Sequence, residues 1–252
     1  MNWTLLTSSF GADAYHDAAR RVLNQAKSFG LFSRVVHLNE TNLGEYTPKT
    51  LAKYESYLSS DFRGFGYFSW KAEAVEVLLK RNSSDGVLYV DAGCELNKNA
   101  ASKIRLSTIL RSARQGHFFH TLDYPERLFT KKKTLDFFSL TPAQRMSPQI
   151  QATWFALSGN LGLSIAEKWS QGVLTDIELI NDSISNEDLD FIEHRHDQSI
   201  LSCTLKTMGV NPRRHRPCHR PQSSLSKLNC HLHPIWSARN RSGASIIKAK
   251  KV

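Results

Sequence analysis

Cysteine is scarce in this chain, and no two cysteines stand close together. The 252 residues contain four, Cys94, Cys203, Cys218 and Cys230, and none of them forms the C-x-x-C spacing of zinc or redox sites. Cys94 and Cys203 lie inside apolar segments, where cysteine usually packs as a small core residue. The pattern argues against a disulfide framework and predicts a reducing compartment.

Long apolar runs are also absent. No segment approaches the ~20 apolar residues that a membrane-spanning helix needs, and residues 1–10 lack the basic start and long apolar core of a signal peptide. We therefore expect a cytoplasmic protein. Apolar residues nevertheless make up 40% of the chain, which is enough for an ordinary globular core.

Glycine clusters of the kind that cradle nucleotides are missing too. The sequence has no Walker loop, and Gly64-Phe65-Gly66 is too short and too aromatic to be a dinucleotide fingerprint. These absences argue against two common modes of nucleotide binding.

Acidic residues are absent from the last part of the chain. Residues 211–252 contain no acid and ten basic residues, which account for the whole formal net charge of +10. The ten are Arg213, Arg214, Arg216, Arg220, Lys227, Arg239, Arg241, Lys248, Lys250 and Lys251. The change in composition predicts two parts, a domain at residues 1–210 and a basic, proline-punctuated tail at residues 211–252.

The basic tail is suited to an anionic surface, either membrane lipid or nucleic acid. We favour lipid, because Trp236, Ile246 and Ile247 offer apolar anchors and no nucleic-acid-binding motif precedes them. No nucleic-acid partner is therefore expected. A solvated end without a partner is an equally open interpretation.

Helical and strand-like apolar periodicities alternate along residues 1–210. We predict strands at 3–7, 34–38, 87–90, 117–122 and 152–157. We predict helices at about 13–29, 50–58, 69–81, 99–114, 161–172 and 197–208. This alternation is typical of an α/β sandwich with a mostly parallel central sheet.

One apolar strand is predicted to end on Asp91, which is followed by Ala92, Gly93 and Glu95. Ligands of α/β sheets bind beyond the carboxyl ends of the strands, and a carboxylate there is costly to bury unless a cation or hydrogen-bond donors meet it. The small residues allow a bulky ligand close to the backbone. A Mg or Mn ion that carries a diphosphate fits both features, with Glu95 or Asn97 as a further oxygen ligand. The alternative is that Asp91 caps the following turn.

Two further polar segments stand at predicted helix starts. In residues 63–71, aromatic side chains surround a glycine turn that ends on Lys71, a combination suited to a nucleotide diphosphate or a sugar ring. In residues 193–199, polar side chains precede the apolar Ile200, with Asp197 near the helix start, as at the edge of an active site. The alternatives are core aromatics for the first segment and a helix cap with a charged first turn for the second.

Together these segments resemble a family of bacterial and viral glycosyltransferases that build lipopolysaccharide and capsular glycans. The family's motifs are an aromatic G-[FY]-G-Y-x-x-W-K block, a strand ending Y-x-D-A-G-C and a late H-R-H-D-Q-S segment. They stand here, in this order, at residues 64–71, 89–94 and 194–199. The similarity covers about residues 10–208 and includes weaker matches at 129–131 and 149–151.

The resemblance implies a GT-A-like, Rossmann-like α/β/α fold, a nucleotide-sugar donor, a glycan or lipid-linked acceptor and often a Mn or Mg cofactor. Asp91 is then similar to the metal-binding first acid of an Asp-x-Asp motif. Gly93 stands where the second acid is usual, and this departure leaves metal dependence open. A second departure is Ala72, where the family commonly has proline.

The resemblance also implies roles for individual residues. Donor binding is implied for Phe10, Tyr15, Arg63, Tyr67, Trp70, Lys71, Asp91, Ala92 and Gly93. Contact with the donor or acceptor sugar is implied for Lys131, Gln151, His194 and His196. Catalysis is implied for Asp197, Gln198 and Glu95.

The stereochemical outcome is left open by these assignments. Asp197 or Glu95 would be the base of an inverting enzyme, whereas Asp197 or Gln198 would lie near the anomeric carbon in a retaining one. His194 and His196 would assist the phosphate or hold Asp197. Two other classes of function stay open: a non-catalytic glycan- or membrane-binding protein that keeps the fold, and a nucleic-acid-binding protein driven by the tail.

Overall fold

The computed structural model describes residues 2–81, 86–212 and 232–245. Its strands are β1 (Trp3–Ser8), β2 (Arg34–Leu38), β3 (Gly86–Val90), β4 (Glu95–Leu96), β5 (His117–Phe118), β6 (Thr121–Pro125), β7 (Pro148–Ile150), β8 (Trp154–Ser158) and β9 (Ile235–Trp236). Its helices are α1 (Asp13–Phe29), α2 (Leu43–Tyr46), α3 (Pro48–Tyr54), α4 (Trp70–Arg81), α5 (Ala100–Ala113), α6 (Glu126–Phe129), α7 (Lys132–Phe137), α8 (Pro142–Met146), α9 (Gly159–Thr175) and α10 (His196–Thr207).

Five strands form one central sheet in the order β2-β1-β3-β8-β5. β1 pairs in parallel with β2 and with β3. β8 runs antiparallel to both β3 and β5, so four of the five strands share one direction. The α/β architecture with a mostly parallel central sheet, as predicted from the sequence, is confirmed.

The central position of β1 creates a crevice by topology alone. The chain leaves β1 for its neighbour on one side, β2, and then crosses to the other side as β3. Ligands of open α/β sheets bind where the strand order reverses in this way, beyond the carboxyl ends of the strands. Here that point lies next to Ser8, the last residue of β1, and Asp91, the first residue after β3. We call it the switch-point crevice.

Both faces of the central sheet are buried beneath helices. Leu5 of β1 and Leu88 of β3 belong to a core that includes α1 and α5, whereas Leu6 and Tyr89 belong to a core that includes α4, α9 and α10. Successive residues of a strand point to opposite faces, so a strand that is covered on both sides is mostly apolar. Burial of each large apolar side chain contributes about 1.5–3 kcal/mol. β3 is accordingly apolar throughout, whereas β1 combines Trp3, Leu5 and Leu6 with three buried hydroxyl residues, Thr4, Thr7 and Ser8.

The prediction of one strand at residues 117–122 is wrong. β5 ends at Phe118, whereas β6 begins at Thr121 and pairs with β7 through Ile150. The chain thus leaves the central sheet for a second one, and a single strand cannot follow both. Helices α2, α6, α7 and α8 were not predicted, because each has four to six residues, fewer than two helical turns of apolar periodicity.

Residues 232–245, which the sequence assigns to the tail, pack against the body of the protein. Ile235 is fully buried and pairs with Leu96 where β9 joins β4. The backbone N–H of Asn240 donates to the carbonyl of Gly93 at 2.8 Å. Trp236 is half-buried in the same strand. This part of the tail is therefore continuous with the fold.

Several other features of the predicted tail lie outside the described residues. These are Cys218, Cys230, Ile246, Ile247 and all of its basic residues except Arg239 and Arg241. Cys94 and Cys203 are free thiols buried in the core, as predicted. None of the helices within residues 2–81, 86–212 and 232–245 is long and apolar enough to cross a membrane.

The segment Gly64–Tyr67, together with Phe68, forms one left-handed turn before α4. These five successive residues have φ angles between 56° and 85°. The conformation costs about 1–2 kcal/mol for each residue that has a side chain, and three of the five are aromatic. Strain of this kind persists only where the surrounding contacts enforce it, and it clusters at functional sites.

Substitution of Gly66 tests how firmly these surroundings enforce the turn. A Cβ at Gly66, where φ is 85°, would lie 2.9 Å from the Leu58 side chain and 3.1 Å from the Tyr57 carbonyl oxygen. Gly30 is a matched control, because its φ is 63° and a Cβ there would meet nothing within 4 Å.

We expect Gly30→Ala to lower the free energy of unfolding by about 1 kcal/mol, the cost of a left-handed alanine. Gly66→Ala should lower it by about 2–4 kcal/mol, because crowding adds to that cost. Urea denaturation measures both values. Equal losses in the two variants would contradict a rigidly held turn.

Candidate functional site

A buried lysine lies between two carboxylates at the switch-point crevice. Nζ of Lys71 is 3.3 Å from Oδ1 of Asp91 and 3.0 Å from Oδ2 of Asp197. The side chains of Lys71 and Asp197 are only 4% and 5% exposed, whereas that of Asp91 is 35% exposed. We call these three residues the Lys71 cluster. Each comes from a different one of the three polar segments in the sequence, and the fold brings them together.

Three different elements position the charges of the Lys71 cluster. Lys71 is the second residue of α4 and follows the left-handed turn, Asp91 follows the last residue of β3, and Asp197 is the second residue of α10. Helices α4 and α10 share a core with Tyr89 of β3. Their first turns therefore reach the carboxyl end of β3, where ligands of such sheets bind.

The ammonium group of Lys71 is enclosed by aromatic rings. Its Nζ is 4.8 Å from the ring centre of Tyr89, 5.1 Å from that of Phe68 and 5.9 Å from that of Trp70. Burial alone would lower the pKa of Lys71, but the carboxylates of the cluster outweigh burial and raise that pKa above its ordinary value. Lys71 is therefore a fixed positive charge at neutral pH.

Asp197 is the member of the cluster that changes protonation state near neutral pH. Burial raises the pKa of Asp197 to about 6, although the positive charge of Lys71 opposes the rise. The indole N–H of Trp169 donates to the backbone carbonyl of Asp197 at 3.0 Å and holds the start of α10. A carboxylate with such a pKa is suited to accept a proton at neutral pH.

The side chain of Tyr89, two residues earlier in the chain, holds the carboxylate of Asp91 in place. The hydroxyl of Tyr89 donates to Oδ1 of Asp91 at 2.7 Å and lies 3.1 Å from Oγ of Ser8 at the end of β1. Burial raises the pKa of Tyr89 well above its usual value, so its hydroxyl keeps its proton. The network thus joins the two strand ends that border the crevice and leaves Asp91 partly open to solvent.

Gln198, the predicted partner of Asp197, has a fixed orientation. Its Oε1 accepts a hydrogen bond from the backbone N–H of Ala152 at 3.1 Å, and its Nε2 donates to Oε1 of Gln149 at 2.8 Å. Gln149 is fully buried and donates in turn to Oε1 of Glu126 at 3.1 Å. The amide of Gln198 is therefore positioned by two layers of buried polar groups.

His194 and His196 hold the backbone at the approach to α10. Nε2 of His194 is 2.9 Å from the carbonyl of Leu179, and Nδ1 of His196 is 2.7 Å from the carbonyl of Ile180. Burial lowers the pKa of both rings, that of His194 well below its usual value. Both are therefore neutral at pH 7, and neither adds a positive charge to the crevice.

Lys131 is fully enclosed by backbone and amide oxygens. Its Nζ donates to the carbonyl and side-chain oxygens of Asn181 at 3.0 and 2.9 Å and to the carbonyl of Ser183 at 3.1 Å. Burial lowers the pKa of Lys131 to about 8. The backbone N–H of Lys131 donates to Nδ1 of His194 at 3.2 Å. Lys131 and His194 therefore hold the backbone of residues 179–183 in place.

Aromatic stacking holds the left-handed turn in place. The ring of Phe10 stacks on Phe65 with centres 4.6 Å apart and lies 4.9 Å from the ring of Trp70. The indole N–H of Trp70 donates to the carbonyl of Gly64 at 3.1 Å. Phe10 and Trp70 are both buried, as the interpretation of core aromatics predicts. Their role in donor binding stays a prediction.

Arg63, which precedes the turn, and Tyr67, within it, contact residues at or just before the start of α10. The ring of Tyr67 is 5.5 Å from that of His196, and an Arg63 guanidinium nitrogen is 3.9 Å from Oε2 of Glu193. Burial raises the pKa of Tyr67. These contacts connect two of the polar segments selected from the sequence.

The remaining predicted residues occupy three different places. Ala92 and Gly93 form the loop directly after Asp91, and Tyr15 is 39% exposed in the first turn of α1, next to the end of β1. Gln151 is buried beyond β7, and its Oε1 has no hydrogen-bond partner among the described residues. These four assignments stay predictions.

Glu95 does not join the Lys71 cluster. Its side chain is fully buried, and its carboxylate accepts hydrogen bonds from Nδ2 of Asn240 at 2.6 Å and from Oγ of Ser245 at 2.5 Å. Glu95 therefore takes part in attaching residues 232–245 to the body of the protein.

Sequence reasoning did not select three residues that the structure places in the site. Tyr89 forms hydrogen bonds with Asp91 and with Ser8, and Gln149 orients Gln198. Tyr89 could have been found, because residues two apart in a strand point to the same face. No local pattern in the sequence indicates Ser8, since its partner is 81 positions away.

Asp91 is the residue that could hold a divalent cation at this site. The described residues contain no group of three or more His, Cys, Asp or Glu side chains placed to bind a metal. Mg, however, commonly binds through one or two carboxylates together with substrate phosphates. The partly exposed carboxylate of Asp91 fits a cation that arrives with a phosphate ligand.

No family model matches this chain, and no curated protein matches it significantly. Its structure is similar to mouse xyloside xylosyltransferase 1 in the apo form, with a TM-score of 0.48, 11% identity and coverage of 97% of this chain and 100% of that chain. It is also similar to a glycosyltransferase involved in the glycosylation of the major capsid of PBCV-1, with a TM-score of 0.47, 11% identity and coverage of 94% and 92%. Similarity at this level assigns no activity to the chain.

The raised pKa of Asp197 predicts how stability depends on pH. Because the folded-state pKa, about 6, exceeds that of an unfolded aspartate, about 3.9, the folded state binds more protons between these values. The contribution of this group to stability is therefore present below about pH 4 and is lost as the pH rises through 6.

Relative to Asp197→Asn, the free energy of unfolding of the wild-type protein should fall by about 2 kcal/mol between pH 4 and 7. Chemical denaturation of both proteins across this range measures the difference. A difference that stays constant or grows with pH would show that Asp197 is an ordinary carboxylate.

Proposed function

We propose that the protein is a GT-A-like glycosyltransferase that moves a sugar from a nucleotide-sugar donor to a glycan or lipid-linked acceptor. The observation that carries the proposal is the Lys71 cluster, because it places one buried cation and two carboxylates at the switch-point crevice. The three motifs that resemble the glycosyltransferase family contribute one residue each to this cluster. A chance resemblance gives no reason for these segments to meet.

Lys71 is suited to stabilise the leaving diphosphate. Glycosyl transfer releases a nucleoside diphosphate, whose negative charge increases in the transition state. A fixed positive charge aimed at that position in a largely buried site stabilises the developing charge without reorganisation. Lys71 is held for this purpose by Asp91 and Asp197, and the exposed side of Asp91 marks where the donor enters.

Asp197 is suited to accept the proton of the attacking hydroxyl. Its pKa of about 6 leaves it ionised at neutral pH, yet basic enough for proton transfer. Gln198 beside it, fixed through Ala152 and Gln149, would orient a sugar hydroxyl. In a retaining enzyme, Asp197 or Gln198 would instead lie near the anomeric carbon.

The divalent cation belongs to this proposal as a partner of the donor. Asp91 would hold a Mn or Mg ion, which, when bound, neutralises charge on the diphosphate. Lys71 supplies positive charge to the same region from the protein itself. We therefore expect the cation to increase activity. The size of that increase measures how much of the diphosphate charge is stabilised by the cation and how much by Lys71.

A role in surface polysaccharide synthesis is part of the proposal. The family that the motifs resemble builds lipopolysaccharide and capsular glycans, often on lipid-linked acceptors. The basic residues of the tail outside the described ranges would hold the enzyme on the inner face of an anionic membrane.

A non-catalytic glycan- or membrane-binding protein with the same fold is the second candidate. It is favoured by one feature, the glycine at position 93 where the family resemblance would place a second acid. The two candidates differ in a direct measurement. A binding protein would take up nucleotide sugars or glycans without transfer or hydrolysis.

The role of Asp91 is tested by Asp91→Asn, which keeps the shape and removes the charge. We expect sugar transfer to fall by at least about tenfold, and stimulation by Mn to be lost, because the cation loses its protein ligand. A panel of nucleotide sugars with and without Mn provides the assay. Asp136→Asn is the matched control, since Asp136 is exposed and pairs with Arg145. Wild-type activity and metal response in Asp91→Asn would overturn the assignment.

The role of Asp197 is tested by the pH profile of Asp197→Asn. We expect kcat to fall about 10²–10⁴-fold, the usual contribution of a general base, with little change in donor affinity. In the wild-type protein, kcat should rise as the pH increases through about 6, and this rise should disappear in the variant. A folded variant with the wild-type profile would reduce Asp197 to a structural partner of Lys71.

A further inference from the structure

Two arginines of the predicted tail reach the switch-point crevice. Residues 232–245, which we call the C-terminal strap, return to the body and contain Arg239 and Arg241. By composition alone, these arginines belong to a tail that is predicted to bind a membrane, together with the other basic residues of positions 211–252. Their position in the fold points to a different ligand.

The C-terminal strap is attached by buried polar contacts. Asn240 is 9% exposed, its backbone N–H donates to the carbonyl of Gly93 at 2.8 Å, and its Nδ2 donates to the buried Glu95 at 2.6 Å. Ser245 donates to the other oxygen of Glu95 at 2.5 Å. Buried groups of this kind are costly to leave unpaired, so the strap has one preferred position.

Arg21 of α1 ties the strap to the loop that follows Asp91. One of its guanidinium nitrogens donates to the carbonyls of Ala92, Cys94 and Asn240 at 2.9, 3.0 and 3.0 Å. Arg21 is 5% exposed, so this clamp is part of the interior. The loop after β3, helix α1 and the strap therefore form one unit around the crevice.

Arg239 and Arg241 stand on the two sides of this crevice. A Cβ on Gly93, in the loop after β3, would lie 3.4 Å from Cα of Arg239. The guanidinium of Arg241 lies 5.6 Å from the ring centre of Tyr15, in the first turn of the helix that follows β1. The strap thus contacts both the loop that follows β3 and the helix that follows β1, and these two strands border the switch-point crevice.

The charges of these two arginines have no acidic partner in the described part of the chain. Both residues are exposed, and among the described residues no carboxylate forms an ion pair with either of them. Arg239 also adds positive charge near Arg195, whose pKa is lowered chiefly by burial and further by Arg239. Arg239 has a φ of 51°, a left-handed conformation that a non-glycine residue adopts only under constraint. Exposed guanidinium groups without an acidic partner are well suited to bind phosphate.

We propose that Arg239 and Arg241 bind the diphosphate of the nucleotide-sugar donor, so that the C-terminal strap is part of the donor site. The proposal rests on the proposed glycosyltransferase function and adds two binding residues to it. Lys71 and any cation on Asp91 meet the diphosphate from the floor of the crevice. The two arginines bind it from the side of the strap, where the ring of Tyr15 lies next to the guanidinium of Arg241.

The proposal is tested by the binding of inorganic pyrophosphate, UDP, GDP and CDP to the intact protein in a calorimeter. We expect R239Q/R241Q to bind the ligand that the wild-type protein prefers at least tenfold more weakly, a change of about 1.4 kcal/mol. The affinity should also depend less steeply on salt, because two fewer cations meet the ligand. R239K/R241K should show an intermediate loss, since lysine keeps the charge but not the bidentate geometry.

R111Q/R114Q is the matched control, because Arg111 and Arg114 are exposed near the end of α5, which precedes the amino end of β5 at the opposite edge of the sheet. It removes the same charge and should bind as the wild-type protein does.

R241Q alone is a second variant, and we expect it to fold normally because Arg241 contacts Tyr15 only through its exposed guanidinium. It should weaken binding several-fold with an unchanged melting temperature.

The outcomes separate this proposal from the proposed function. If the wild-type protein binds a nucleoside diphosphate and R239Q/R241Q binds it within twofold, the strap assignment is wrong and the glycosyltransferase proposal stands. If R239Q/R241Q loses only its binding to vesicles that contain phosphatidylserine, the arginines serve a membrane and the assignment is again wrong. If the wild-type protein binds neither pyrophosphate nor any of the nucleotides, both proposals fail.

Discussion

The arrangement of the crevice depends on one buried ammonium group, that of Lys71 between Asp91 and Asp197. Each of these charges would be costly to bury alone, and each is tolerated because the others are present. The cluster therefore constrains three elements at once, since the starts of α4 and α10 must both lie at the end of β3. Such a constraint contributes more to the uniqueness of the arrangement than to its stability, because desolvation consumes much of the attraction between the charges.

The neighbouring groups limit how the charge in the crevice can vary. His194 and His196 are neutral because burial lowers the pKa of both rings, and Lys131 is enclosed by oxygens outside the cluster. Many other charges are paired at the surface, as in Arg127 with Asp190, where an ion pair contributes little to stability. In the C-terminal strap, Arg239 and Arg241 are exposed and form no ion pair with a described carboxylate. This positive charge supports the proposed binding of an anionic ligand.

Backbone strain is concentrated in the same region. The left-handed turn before α4 and the positive φ of His196 at the start of α10 adjoin one another, with Tyr67 and Phe68 facing the His196 ring. Stacked aromatics and hydrogen bonds to carbonyls hold both segments. Asp197 directly follows the strained His196, and Lys71 is three residues after Phe68, the last residue of the left-handed turn. The strained segments therefore lead into both members of the buried ion pair.

Much of the fold could be predicted from the sequence, because the apolar periodicity of helices and strands is a local property. α1 and β2 have the predicted bounds, and the α/β class follows from the alternation of the two periods. The three segments of the Lys71 cluster were also visible, since each places polar side chains directly beside an apolar strand or helix and the three occur together in the order of the family's motifs. The break between β5 and β6 was not predictable, because it arises from the pairing of β6 with a distant strand.

Composition alone determined that the chain carries excess positive charge near its end, but tertiary structure decided where part of that charge lies. A residue count treats Arg239 and Arg241 like the other basic residues of 211–252. Their position over the crevice depends on Asn240, Glu95 and Arg21, which are up to 219 positions apart in the chain. The same holds for the ion pairs of Lys71, because hydrogen bonds and charges act through space over a few ångströms, whereas sequence patterns report only what adjacent residues prefer.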